Sequence, residues 1–169
     1  KPSAATDLNA VLRKLALEYV NAYREGGNAR LAEYRDQERP TFVAKEFESM
    51  IQRMPEMTEY LHDLRRYLLE YPKYTLAGSK DFLYWQEAVF GLKPTARINH
   101  VVIAERPEGI AVASKQLYAT HYFWTALELR LLLAGLVVAQ LHPAVGLVDE
   151  VDGLVGQEAV GDVAAGLVD

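Results

Sequence analysis

The chain has 169 residues, a formal net charge of −5, 50% hydrophobic residues and 24% charged ones. That length suits one domain with a substantial core, and the acidic balance argues against a nucleic-acid binder, whose footprint is a basic face. The absence of cysteine excludes disulfides, zinc ribbons and thiol catalysis.

Charge is unevenly placed. Residues 1–130 hold all 18 Lys and Arg and sum to about +1, whereas the last 39 residues carry six acids, no base and no aromatic ring. Lys1 follows neither a Met nor an apolar targeting segment, as expected of a trimmed chain or of a mature one after signal cleavage.

In chain order, Asp7 is the expected N-cap of a first helix. Leu8, Val11, Leu12, Leu15, Tyr19 and Tyr23 follow at helical spacing, and Gly26-Gly27 ends it. A short second helix is expected from Asn28 to Tyr34, and a third from Thr41 to Met54. A fourth runs from Pro55 to Tyr71, halted because a residue before proline avoids helical backbone. A fifth is expected from Ser79 to Gly91, with Phe82, Trp85, Ala88 and Val89 on one side. Trp85, Phe82, Phe90 and Tyr84 are expected core anchors.

After Pro94 the period becomes 2. Ile98–Glu105 alternates, Arg106-Pro107-Glu108-Gly109 has the composition of a β-turn, and Ile110–Phe123 and Trp124–Leu133 read as further strands. The resulting fold class is α+β: about five N-terminal helices on a C-terminal antiparallel sheet, with a helix-grip arrangement as one candidate. The domain is expected to span 1–142, with 143–169 a weakly ordered, Gly-, Val- and Asp-rich tail; a short strand around Val145–Val148 is one option, and Asp149–Asp169 is expected to contribute no functional site. Leu131–Val148 has 18 residues without formal charge, but Gln140, His142, Pro143 and two glycines argue for a core strand and loop over a membrane span.

On the second strand, Ser114, Gln116, Tyr118, Thr120 and Tyr122 share one face. Ala113, Lys115, Leu117, Ala119, His121 and Phe123 share the other. The polar row reads either as a solvated face, common in antiparallel sheets, or as the lining of a pocket. His121 lies among aromatic residues and reads as a hydrogen-bonded core histidine. His100 and His121 could approach across strands, but a metal site needs three or four converging ligands, so no metal or cofactor is expected. Lys115 cannot activate Ser114, since adjacent strand residues point to opposite faces.

The segments EYVNAYREGGNARLAEY, LRRYLLEYP, DFLYWQEAVFGLKP, NHVVI and ASKQLYATHYFWTALEL resemble a family of uncharacterised bacterial proteins over residues 8–133. FGLKP and ASKQ-x-YA-x-HYF are the most specific pieces. The resemblance implies a bacterial protein, periplasmic or exported, and carries over no catalytic residue. The family continues after its HYF strand with an aromatic-rich strand and a basic helix, whereas this chain continues AGLVVAQLHPAVGLVDEVDG. A shifted reading frame and a divergent acidic tail both account for that departure.

Three functions follow as expectations. The first is non-catalytic binding of a small, mostly apolar ligand between sheet and helices, with Ser114, Gln116, Tyr118, Thr120, His121 and Tyr122 as its polar lining. The second is a hydrolase-type enzyme using His121 with a neighbouring tyrosine or carboxylate, and the third a module whose helical face docks a partner. The sequence does not indicate an oligomeric state.

Overall fold

The computed structural model describes residues 4–35, 38–90, 93–121, 123–133, 136–141 and 144–146. Helix α1 (Ala4–Gly26) realises the first predicted helix. It ends where Gly27 adopts a φ of 59°, and a Cβ there would collide with the Tyr71 carbonyl oxygen. Only glycine satisfies both the left-handed backbone and this close approach.

The predicted second helix shrinks to one 3-10 turn, Gly27–Arg30, followed by strand β1 (Glu33–Tyr34). Strand β2 (Thr41–Phe42) pairs antiparallel with β1, so the third helix starts only at Val43, as α2 (Val43–Gln52). The fourth divides into α3 (Pro55–Glu59) and α4 (His62–Glu70). At that break the Tyr60 carbonyl accepts a hydrogen bond from Arg106 Nη2 at 2.9 Å, a tertiary contact that sequence periodicity does not carry.

The fifth predicted helix is a strand, β3 (Ser79–Phe90). It pairs with β4 (Lys93–Arg106) from Ser79↔Ala104 to Phe90↔Lys93. Phe82, Trp85, Ala88 and Val89 fit helical spacing, but aromatic residues also suit strands, and a ladder this long outweighs one amphipathic stripe. The core role expected of Trp85 and Phe82 changes with it, Tyr84 is half-buried, and the Phe90 side chain lies outside the described residues. Trp85 is 69% and Phe82 47% exposed on what is an edge strand of the sheet path.

The rest of the sheet follows the alternation. Strand β5 (Gly109–Ala119) forms the predicted hairpin with β4 across Arg106↔Gly109. Strand β6 (Phe123–Leu133) pairs with β5, β7 (Leu136–Leu141) pairs with β6, and β8 (Ala144–Gly146) pairs with the start of β6. The fold is α+β, with N-terminal helices against an antiparallel meander. Among the described residues no helix is long and apolar enough to cross a membrane. The stretch read against a span holds the end of β6 with β7 and β8. Of the predicted tail, residues 143 and 147–169 lie outside the described residues.

The main core is asymmetric. Phe47, Met50, Ile51, Met57, Leu64 and Leu68 project from the helices, while the sheet answers with Val102, Ala104, Ala111, Ala113, Leu127 and Leu129. Three alanines on the sheet side leave room for the bulky helix residues to approach closely. A second cluster, Tyr23, Ile98 and Leu117, seats the C-terminal half of α1 on β4 and β5. The N-terminal half is uncovered: Leu8, Val11, Leu12 and Leu15 are each more than half exposed.

Candidate functional site

Between the two clusters the sheet carries residues that do not belong in an apolar core. On β4, His100 is 1% exposed, and on β5 Lys115 is fully buried directly across the ladder from it. The alternation that buries Val102 and Ala113 also turns these two side chains toward the helices, and each must find partners there.

His100 finds two. Its Nδ1 lies 3.0 Å from the Tyr23 hydroxyl of α1, and its Nε2 lies 3.0 Å from Asp81 Oδ2 on β3. Tyr67 of α4 donates to the same carboxylate oxygen at 2.5 Å. Burial pushes the His100 imidazolium below its ordinary pKa, overcoming the upward pull of Asp81, so the ring is neutral near pH 7. Burial alone would raise the Asp81 carboxyl, but hydrogen bonds from Tyr67 and His100 outweigh it and hold the group below its usual value. Burial drives the Tyr23 and Tyr67 phenols up, so both remain protonated donors. These states fix the direction of the chain: Tyr23 donates to Nδ1, and Nε2–H and the Tyr67 hydroxyl both donate to an ionised Asp81.

Lys115 is placed differently. Its Nζ donates to Asn28 Oδ1 and lies 4.2 Å over the Phe47 ring and 5.3 Å from that of Tyr23. Asn28, at the start of the expected second helix, donates through Nδ2 to the carbonyls of Leu68 (3.0 Å) and Leu69 (2.9 Å) at the end of α4. Those carbonyls have no intrahelical partner, so Asn28 ties the turn after α1 to the end of α4. Burial pushes the Lys115 ammonium down to about 7, with no carboxylate to offset it.

Asp81 opens onto solvent. Its side chain is 38% exposed and forms part of a cleft of about 270 Å³ between β3 and the segment that follows α4. Tyr67, Tyr71, Pro72, Tyr74, Thr75, Leu76, Ser79 and Lys80 complete the wall. The Tyr71 ring stacks on Tyr23 at 5.1 Å and meets Tyr67 at 69°, while the Arg66 guanidinium covers Tyr74 at 4.4 Å. Ser79, at the start of the expected fifth helix, donates to the Leu76 carbonyl at 2.7 Å and closes the loop at the cleft.

The sequence-predicted lining does not converge on one place. Leu117 is the extra residue of a bulge, since Ile98 opposes Tyr118 and Asn99 opposes Gln116. The bulge separates Tyr118 from Ser114 and Gln116. Tyr118 meets Tyr19 and Tyr34, with ring centroids 6.0 and 6.1 Å away. Gln116 is buried between Arg97, whose Nε donates to it at 2.9 Å, and the Phe123 carbonyl. Thr120 accepts from the Ala96 amide. His121 is exposed in the bend between β5 and β6, because β5 ends at Ala119; the core role expected for it falls to His100. Tyr122 lies outside the described residues.

Among the described residues no group of three or more His, Asp or Glu is arranged to hold a metal. Compared with protein-family models, curated proteins and solved structures, the chain gives no match.

Proposed function

We propose that the protein binds a small molecule in the cleft between β3 and the segment after α4, with Asp81 as the anchoring group and the tyrosine rings as an apolar lining. The observation that carries this reading is the preparation of Asp81. Two donors, one of them fixed by the buried His100–Tyr23 pair, hold the carboxylate ionised and oriented at the wall of a cleft. A polar group fixed before the ligand arrives loses little entropy on binding, which is how a pre-oriented polar atom confers affinity. His100 and Tyr23 are too deeply buried to touch a ligand themselves, which supports binding over turnover. Membership of the bacterial family that carries the FGLKP motif belongs to the same proposal.

The test is a native mass spectrum of the chain purified from its own host, compared with its Asp81→Leu variant. A small mass retained by the parent and lost from the variant supports the reading. No retained mass, together with no thermal stabilisation across a small-molecule library, overturns it.

A second reading, an interaction module, is favoured by α1. Leu8, Val11, Leu12 and Leu15 form an exposed stripe two turns long, and the partner it fits is another amphipathic helix with apolar residues at the same spacing. Self-association that Leu12→Glu abolishes would support it, and a monomer in both forms at high concentration would remove a second copy as the partner.

A further inference from the structure

We infer that the ligand of this cleft is a small organic cation, a protonated amine on a compact apolar body that donates its N–H to the Asp81 carboxylate. This rests on the reading of the cleft as a binding site and goes beyond it by assigning the ligand's charge.

Charge bookkeeping around Asp81 carries the inference. Oδ2 already takes two donors, Tyr67 and His100, while Oδ1 has no hydrogen-bond partner among the described residues. An ionised carboxylate offers acceptors only, so the atom left over calls for a donor. No lysine or arginine among the described residues makes an ion pair with Asp81; the one ion-pair geometry it has is with His100, which is neutral. Arg24 acts on Asp81 only through space. Lys80, its chain neighbour, also borders the cleft, but no ion pair joins it to Asp81. Among the described residues Asp81 therefore faces the cleft without a lysine or arginine in direct contact.

A ligand filling the cleft displaces water from that charge. A neutral molecule would leave it desolvated and uncompensated, and an anion would add repulsion. A cation compensates it and gains a charge-assisted hydrogen bond. The lining agrees, since the Tyr67 and Tyr71 rings that border Asp81 belong to a class of side chain whose faces attract cations. The cleft of about 270 Å³ limits the ligand to a compact molecule.

The experiment is calorimetric titration of the unmodified protein with three probes of matched shape: benzylammonium, benzyl alcohol and benzoate. Binding of benzylammonium at least ~10-fold tighter than benzyl alcohol, with no binding of benzoate, is expected. In Asp81→Asn the ammonium and the alcohol are then expected to bind alike. If the ammonium and the alcohol bind the unmodified protein equally, or benzoate binds best, the cation assignment is wrong while the cleft remains a binding site. If none of the three binds at millimolar concentration, both the assignment and the site fail. The comparison among probes on the unmodified protein stands even if the variant does not fold.

Discussion

Replacing Lys115 with Met should stabilise the protein near pH 6 and flatten the rise of its stability with pH. The amine is fully buried, with a pKa near 7 when folded against 10.5 when unfolded. Between those values the unfolded chain holds a proton that the folded chain lacks, so stability rises with pH across the window. Below about pH 7 the penalty for burying the ammonium is complete, and by about pH 10.5 it is gone. At about 1.4 kcal/mol per pKa unit, that penalty is on the order of 5 kcal/mol. Met keeps the length and the contacts with Phe47 but leaves Asn28 Oδ1 without its donor, a loss of about 1–3 kcal/mol. The expected net gain is thus about 2–4 kcal/mol at pH 6, turning into a small loss near pH 10. Urea unfolding of both forms from pH 6 to pH 10 reads this directly, because the other titrating groups cancel in the difference. Parallel stability curves across that range would refute the placement of Lys115 as a buried amine without a counter-charge.

His100→Leu should cost about 2–3 kcal/mol in urea unfolding, because it strands the Tyr23 hydroxyl in the core and takes a donor from Asp81. The folded His100 pKa lies below 6.5, so the unmodified protein should lose stability as pH falls from 6.5 through that value, and the variant should lack this component. Gly27→Ala, which combines a positive φ with a collision at the Tyr71 carbonyl, should cost at least about 2 kcal/mol by the same assay. His121→Gln, at an exposed bend, should change stability by no more than about 0.5 kcal/mol in thermal melting.

The parts of the fold that sequence reveals are those where one local signal acts alone. From Ile98 to Gln116 the alternation and the Pro107-Glu108-Gly109 turn leave one reading, and the hairpin register follows from it. Ser79–Phe90 carries two signals. Its apolar residues repeat every three or four positions, while its composition suits a strand, and only the β4 partner decides between them. The candidate site is harder still, because Tyr23, Tyr67, Asp81 and His100 come from four elements, with the Tyr23–His100 pair 77 residues apart in the chain. A trace was nevertheless present. His100 and Lys115 interrupt apolar rows on faces that alternation turns inward, and a polar residue on a buried face implies a partner across the core. The alternation of β5 misled beyond Gln116, because a one-residue bulge at Leu117 leaves no mark in composition.

Whether Asp81 stands as an uncompensated carboxylate depends on the protonation of His100, and the ¹⁵N NMR spectrum of the His100 ring at pH 7 reports it. A neutral ring protonated at Nε2 and accepting at Nδ1 is the predicted result, since it leaves the Asp81 charge for a ligand. A doubly protonated ring would make His100 and Asp81 an internal ion pair and remove the basis for a cationic ligand. The opposite tautomer would contradict the whole direction of the hydrogen-bond chain.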